Sequence, residues 1–272
     1  MATAPRARQR MMKPKASAEP PERLLSEHSV TRRTVQGFDC YRVTPHGRTP
    51  DRAVVYLHGG SYISEITSQH WSLISRLAAA GARVEVPIYG LAPRHSYREA
   101  YGLITAVYRD LLDDAPARVV SVMGDSAGGG LALGLVQSLR GLGLPHPGRL
   151  VLICPWLELT LSNPAVAHVE RRDPWLSREG LLEAGRAWAG GDNPGDYRLS
   201  PLNGRMHDLP PVDLFIGTRD IMCPDVLRLR DHLDAAGVPV NLTVASGAFH
   251  DYVLAPVPEG RQAVNTILGN LR

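Results

Sequence analysis

The sequence predicts an α/β protein with a mostly parallel central sheet covered by helices on both faces. Short apolar runs rich in β-branched residues alternate with segments of helical periodicity, which is typical of right-handed β-α-β crossovers. A Gly-Xaa-Ser-Xaa-Gly pentapeptide joins one of these runs to a helix. The chain has 272 residues, of which 44% are hydrophobic, so it can bury one substantial core.

The elements follow one another in a regular order. Residues 30–44 alternate loosely and predict one or two early strands, with a hairpin turn at Gln36 and Gly37. Gly81 and Gly141 follow two of the predicted helices, as is common at helix ends. Later strands are expected at residues 52–57, 83–88, 118–123, 149–154, 212–217 and 240–244, and helices at residues 68–80, 97–112, 131–140, 224–236 and 259–271.

One segment interrupts this alternation. Residues 158–208 contain four prolines and two tryptophans but little strand pattern. Open α/β sheets bind ligands beyond the carboxyl ends of their strands, so we expect this segment to be a small cap insertion at that edge. Residues 26–272 are expected to form a single domain that includes it.

The charge is concentrated in the first 25 residues, where six basic side chains face two acidic ones. We expect this stretch to be a disordered basic tail, and it lacks the apolar segment of a secretory signal. The remaining chain is nearly neutral, so no nucleic-acid partner is predicted. No apolar run is long enough for a membrane anchor. Three separated cysteines favour neither disulfides nor a metal site, and they suggest a cytoplasmic protein.

The pentapeptide has the context of a nucleophile elbow. It runs from Gly124 to Gly128, between the predicted strand at residues 118–123 and the helix at residues 131–140. Such a tight turn leaves no room for side chains two residues before and after the serine. Ser126 is therefore the predicted nucleophile, held at the positive end of a helix.

A serine hydroxyl needs a base, and the base needs a carboxylate to orient it. Downstream of Ser126, Asp220 follows the strand at residues 212–217 and His250 follows the last strand, so both are placed at the same sheet edge. Asp225 is the alternative acid, although it falls in the first turn of a helix. His232 is the alternative base, although it falls in the middle of that helix.

The reaction also needs N–H donors for the oxyanion of a tetrahedral intermediate. We expect these from Ala127, directly after the nucleophile, and from Gly59 and Gly60, directly after the strand at residues 52–57. Glycines let a backbone approach a ligand closely. His58 is interpreted as a residue that holds this loop.

These residues resemble the hormone-sensitive-lipase-like family of α/β-hydrolases, which includes bacterial esterases and arylacetamide-deacetylase-like enzymes. The resemblance covers about residues 50–272 and is most specific around Ser126. It depends on the runs His58-Gly59-Gly60, Tyr89-Gly90-Leu91-Ala92-Pro93, Gly124-Asp125-Ser126-Ala127-Gly128-Gly129 and Pro155-Trp156-Leu157-Glu158-Leu159, and on Asp220 and His250.

The resemblance implies the α/β-hydrolase fold and hydrolysis of small to medium carboxylic esters through an acyl-enzyme, with no metal or organic cofactor. It also implies a homodimer, for which the residues give no separate support. Two positions depart from the family pattern. Ser61 stands where the family has glycine or alanine, and Gly130 stands where asparagine is common. The candidate lining of the substrate pocket is Ser61, Tyr62, Asp125, Trp156 and Trp188.

Three alternatives stay open at this point. An amidase or deacetylase, or an acyl transferase, would use the same three residues. A ligand-binding protein could be built on the same scaffold, because one fold serves many functions. Such proteins tend to lose a member of the triad, whereas this sequence has candidates for all three.

Overall fold

An eight-stranded sheet forms the centre of the protein in a computed structural model, which describes residues 3–271. The strands are β1 (His28–Val35), β2 (Phe38–Pro45), β3 (Arg52–Leu57), β4 (Ala82–Pro87), β5 (Val120–Asp125), β6 (Arg149–Ile153), β7 (Val212–Gly217) and β8 (Val240–Ala245). The helices are α1 (Ala4–Met12), α2 (Glu22–Glu27), α3 (Ser68–Ala79), α4 (Tyr97–Asp114), α5 (Ser126–Leu139), α6 (Val166–Glu170), α7 (Arg178–Ala189), α8 (Cys223–Ala235) and α9 (Pro258–Asn270).

The strands lie in the order β1-β2-β4-β3-β5-β6-β7-β8. Strands β1 and β2 form an antiparallel hairpin, β2 is antiparallel to β4, and the six strands from β4 to β8 are parallel. The hairpin turns at Gln36 and Gly37, both with positive φ. This mostly parallel sheet confirms the predicted fold class.

Strand β5 positions the nucleophile near the middle of the sheet. All six of its residues are buried, as is usual for a strand covered on both faces. Gly124 pairs with Leu57 of β3 on one side and with Leu152 of β6 on the other. Ser126, the next residue after β5, therefore begins α5 at the carboxyl edge of the sheet.

The segment between β6 and β7 contains α6 and α7 and lies against the loop that follows β7. Oδ2 of Asp173 accepts a hydrogen bond from the N–H of Ile221 at 2.9 Å. Nε of Arg219 donates to the carbonyl of Arg172 at 3.1 Å. The expected insertion thus contacts the loop that carries the candidate acid.

The N-terminal residues differ from the expectation of a disordered tail. Residues 4–12 form α1, which packs on α7, with Ala4 and Ala7 buried. Arg8 forms an ion pair with Glu183 of α7 at 3.0 Å, and Nζ of Lys15 donates to the carbonyl of Ile63 at 2.9 Å. Ala4 and Ala7 recur at helical spacing, but the basic composition of this segment favours a disordered tail, so the helix was not predicted. The first two residues of the expected tail, and residue 272 of the expected domain, lie outside the described residues.

Among the helices of residues 3–271, none combines the length and the apolar character that crossing a bilayer requires.

Candidate active site

Ser126 lies at a sharp turn between β5 and α5, with a φ of 49°. A Cβ on Gly124 would lie 2.3 Å from the carbonyl oxygen of Gly128, and a Cβ on Gly128 would lie 2.0 Å from the carbonyl oxygen of Leu57. Both distances are far inside van der Waals contact, so only glycine fits at either position. The sequence therefore forms the strained turn that a nucleophile elbow requires.

Ser126, His250 and Asp220 form a continuous chain of hydrogen bonds. Nε2 of His250 lies 2.8 Å from Oγ of Ser126, and Nδ1 lies 2.9 Å from Oδ2 of Asp220. A carboxylate only accepts, so Nδ1 carries the hydrogen and Nε2 is left to accept the serine proton. All three side chains are buried. Burial alone would lower the pKa of His250, but Asp220 and Asp251 outweigh it and raise this pKa.

The two alternative residues lie elsewhere. Oδ1 of Asp225 accepts a hydrogen bond from Nδ2 of Asn163 at 2.9 Å, and burial raises the pKa of this carboxyl. His232 is half-buried on α8. The structure therefore brings Asp220 and His250 to the nucleophile, as the sequence order predicts.

Asp125 lies behind the nucleophile and holds the loop that follows β3. It is fully buried and accepts hydrogen bonds from the Tyr56 hydroxyl at 2.6 Å, the Gly59 N–H at 2.9 Å and Nε2 of His70 at 3.1 Å. The Thr67 N–H donates to Nδ1 of His70 at 2.8 Å, so the hydrogen of this ring is on Nε2. Burial favours the neutral acid, but the contacts with His70 and Tyr56 keep the pKa of Asp125 below its usual value.

These contacts correct two expectations. Asp125 does not line a substrate pocket, because its carboxylate is enclosed and used by the loop. Gly59 does not have a free N–H for an oxyanion, because that N–H is donated to Asp125. A Cβ on Gly59 would lie 2.2 Å from Oδ2 of Asp125. Gly59 is therefore required for this close approach to the carboxylate.

The backbone that follows Gly59 turns through three residues with positive φ, which are Gly60 at 116°, Ser61 at 54° and Tyr62 at 62°. The carbonyl of Gly60 accepts the N–H groups of Ile63 and Ser64 and closes this turn. Within residues 3–271, no hydrogen bond uses the N–H of Gly60, Ser61 or Ala127. A Cβ on Gly59 would lie 3.0 Å from Cβ of Ser126, so this turn with its unpaired amides begins beside Ser126.

His58 holds the start of this loop, as the sequence suggests. Its ring is buried and stacks on Tyr89 with ring centres 4.4 Å apart, and Nδ1 lies 2.7 Å from the carbonyl oxygen of Gly59. The Tyr89 hydroxyl donates to the carbonyl of His58 at 2.6 Å. Burial lowers the pKa of His58 to about 4, so this ring is neutral.

Three aromatic side chains fill the space beside the first turns of α5. The ring of Tyr62 stacks between Trp188, at 4.4 Å, and Trp156, at 5.5 Å between ring centres. The backbone N–H of Trp156 donates a hydrogen bond to the carbonyl of Ser126 at 2.8 Å. A Cβ on Gly130, one turn along α5 from Ser126, would lie 2.3 Å from the carbonyl oxygen of Trp156 and 3.0 Å from the Tyr62 hydroxyl oxygen. Glycine in place of the family's asparagine therefore leaves room for the Trp156 backbone and for Tyr62.

Cys154, Asp220 and His250 form the one group of potential metal ligands that converges in the described part of the chain, with ligand atoms within 4.8 Å of one another. Asp220 and Nδ1 of His250 are already hydrogen-bonded to each other. Burial raises the pKa of the Cys154 thiol well above its usual value, whereas a metal binds the thiolate. This donor set fits a proton-transfer pair better than a metal centre.

The sequence did not indicate His70 and Asp251 as parts of the site. Oδ2 of Asp251 lies 3.2 Å from Nε2 of His250. An acidic residue directly after the candidate base was a signal that could have been used. His70 had no such signal, because only the packing of α3 brings it to Asp125.

Comparison with known proteins agrees with this fold. Residues 54–254 match the family model described as alpha/beta hydrolase fold. An acetyl-hydrolase from Streptomyces hygroscopicus is 32% identical over 83% of this chain and 77% of its own length. An esterase from Acinetobacter venetianus is 31% identical over 79% of this chain and 72% of its own length. The crystal structure of an esterase from the bacterial hormone-sensitive lipase family matches with a TM-score of 0.85 and 29% identity, over 99% of this chain and 95% of that one.

A strained serine joined to a buried histidine and aspartate on a mostly parallel sheet defines a serine hydrolase. The chain belongs to the α/β-hydrolase family, and the predicted resemblance to hormone-sensitive lipases is confirmed. Together with its relatives, the fold makes this protein a carboxylesterase.

The Asp125 network gives a first prediction. Replacing Tyr56 by phenylalanine removes one hydrogen bond to a buried carboxylate, so we expect a loss of about 1.5–3 kcal/mol in the free energy of unfolding. We also expect kcat to fall by up to about tenfold, because the loop that holds the oxyanion donors loses part of its support. This loss is smaller than the roughly 10³-fold effect of removing one oxyanion donor altogether. Denaturant unfolding and ester hydrolysis measure the two effects.

The matched control is Tyr108→Phe, which removes a hydrogen bond to the carbonyl of Pro145 at 2.8 Å, away from the site. It should leave kcat unchanged. Equal losses of kcat in the two variants would contradict a role of Tyr56 in supporting the loop.

Proposed function

We propose that the protein hydrolyses carboxylic esters with a short acyl group through an acyl-enzyme on Ser126. The observation that carries this proposal is the unbroken chain from Oγ of Ser126 through His250 to Asp220, at 2.8 and 2.9 Å. In this geometry each proton has a defined donor and acceptor.

The reaction begins when Nε2 of His250 takes the proton of Ser126 as the oxygen attacks the ester carbonyl. Asp220 keeps the ring in the tautomer with its hydrogen on Nδ1 and stabilises the imidazolium that forms. The imidazolium then protonates the leaving alcohol, and water releases the acid by the same steps.

The negative oxygen of each tetrahedral intermediate needs donors that are already in place. The N–H of Ala127 is at the positive end of α5. Gly60 and Ser61 supply the other two amides, on the turn with positive φ beside Ser126. Ser61 thus takes the part that the sequence assigned to Gly59.

The aromatic stack supports a short acyl group. Tyr62, Trp156 and Trp188 are each at most 2% exposed, and they occupy the space beside the first turns of α5. Protein interiors are close-packed, so rings stacked in this way leave little room for an alkyl chain. The names of the relatives, which are an acetyl-hydrolase and an esterase, are consistent with this substrate class.

Shortening one ring of the stack tests the acyl preference. Trp188→Leu removes one of the two rings that stack on Tyr62. We expect the ratio of kcat/KM for p-nitrophenyl hexanoate to that for the acetate to rise about tenfold or more. A gain of this size corresponds to burying about two methylene groups at about 0.8 kcal/mol each. Steady-state kinetics with acetate, butyrate, hexanoate and octanoate esters measures the ratio.

The matched control is Trp175→Leu, since Trp175 is 50% exposed and its ring contacts Phe249. Its acyl preference should equal that of the wild-type protein. A wild-type optimum at octanoate, or a ratio unchanged in Trp188→Leu, would refute the assignment of the stack to the acyl pocket.

A further inference from the structure

A second carboxylate contacts the catalytic histidine on the side of the nucleophile. Asp251 follows His250 directly, and its Oδ2 lies 3.2 Å from Nε2 of His250. The same nitrogen lies 2.8 Å from Oγ of Ser126. Nε2 therefore has two oxygens in hydrogen-bonding range, whereas Nδ1 has Asp220. The mechanism described above uses the serine and Asp220 and gives Asp251 no part.

The backbone holds Asp251 in an uncommon conformation. Its φ is 54°, in the left-handed region, where aspartate is tolerated better than most residues but still at a cost. Oδ1 is buried and has no hydrogen-bond partner within residues 3–271. The side chain as a whole is 16% exposed. Backbone strain and the desolvation of its carboxylate both destabilise Asp251 in this placement. The contact with Nε2 of His250 offsets these costs only when the His250–Asp251 pair has the right charge.

That condition is a proton on the pair. When His250 is neutral, the Nε2 lone pair and an ionised Asp251 repel each other. When the pair holds one more proton, this proton lies between Nε2 and Oδ2 and the contact is attractive. An ionised pair with Nε2 protonated and a neutral pair with Asp251 protonated are two forms of this same state.

The surroundings favour retention of this proton. The titratable groups that act on the pair are Asp220 after β7, Asp173 in the insertion, Asp125 at the end of β5, His70 on α3, Cys154 after β6 and Tyr56 on β3. None of them carries a fixed positive charge. Burial lowers the pKa of His250, but Asp220 and Asp251 raise it more. Burial also raises the pKa of Asp251, against the opposing effect of His250.

We propose that Asp251 is a positioning residue for His250 that accepts the Nε2 hydrogen of the imidazolium and competes with Ser126 for this nitrogen. The proposal rests on the proposed function. The proton that the pair holds must leave before Nε2 can accept the proton of Ser126. Once the serine has been deprotonated, the same carboxylate stabilises the imidazolium.

Two consequences follow for activity. Because the held proton blocks the base, activity rises with pH as the pair loses it, and the midpoint lies above the ordinary histidine value of about 6.5. Without the carboxylate the imidazolium is less stable in the free enzyme, so the midpoint falls. The plateau at high pH also falls, because the imidazolium is less stable in the transition state.

The test is the rate at which a fluorophosphonate labels Ser126 between pH 5 and 10, with the labelled residue identified by mass spectrometry. We expect Asp251→Asn to lower the midpoint by about one to three pH units, the usual effect of one close charge. If the midpoint falls by one pH unit, the labelling rate of the variant at pH 6, expressed as a fraction of its own plateau, should be approximately tenfold higher than that of the wild-type protein. Asp251→Gly, which suits the left-handed backbone, should shift the midpoint in the same direction.

The matched control is Asp225→Asn, which neutralises a buried carboxylate bonded to Asn163 and not to His250. It should keep the wild-type midpoint. A midpoint unchanged in both Asp251 variants would overturn the proposal, as would an equal shift in Asp225→Asn. A wild-type protein that is folded but is not labelled at Ser126 at any pH would instead refute the proposed function.

Discussion

Replacing Ser126 by alanine is expected to lower kcat/KM for p-nitrophenyl acetate by about 10⁴- to 10⁶-fold, the usual effect of removing the nucleophile of a serine hydrolase. Ser126 is the only serine bonded to His250, at 2.8 Å, within residues 3–271. The remaining rate would come from general binding and from the oxyanion donors. Steady-state kinetics and the absence of fluorophosphonate labelling measure the loss.

The control for this substitution is Ser121→Ala, since Ser121 is a buried serine of β5 that lies outside the site. This variant should retain the wild-type rate. Substantial turnover by Ser126→Ala, after removal of contaminating esterases, would exclude Ser126 as the nucleophile.

Replacing Asp220 by asparagine is expected to lower kcat by about 10⁴-fold while the protein stays folded. An amide at this position can donate a hydrogen bond to Nδ1, which favours the tautomer with its hydrogen on Nε2 and removes the acceptor for the serine proton. The positive charge that forms on His250 also loses its counter-charge. The measurement is kcat above the midpoint of the pH profile, with circular dichroism to show that the fold is retained.

Asp225→Asn is again the matched control, since Asp225 is the alternative acid of the sequence and lies five residues along the chain. We expect it to change kcat by less than about threefold. A larger loss in Asp225→Asn than in Asp220→Asn would reverse the assignment of the acid.

The sequence was sufficient to predict the sheet and the three side chains that the structure brings together, Ser126, His250 and Asp220. Strands β3 and β7 begin and end where their apolar runs predict, because buried strands are continuous apolar segments with clear boundaries. Helix α5 begins at Ser126, five residues before the predicted start. The first turn of α5 was not predicted, because it is rich in glycine and glycine has a low helix propensity.

The details of the site depend on contacts that no local pattern shows. The loss of the Gly59 amide to Asp125 follows from a hydrogen bond between residues 66 positions apart. The packing of α1 on α7 joins residues as far apart as Arg8 and Glu183, which are 175 positions apart, so a local pattern does not show it. The role of Asp251 depends on a left-handed backbone that aspartate adopts only in certain environments.

The packing of α1 on α7 has a consequence for the order in which the protein assembles. Arg8 and Glu183 are 175 residues apart, so this contact can form only after α7 has been synthesised. Contacts of such long range form late, because the loop between them must close first. Lys15 bonds the carbonyl of Ile63 in the loop beside the nucleophile. Residues 4–15 therefore connect α7 to the loop that follows β3, and this connection is complete only when both of these elements are in place.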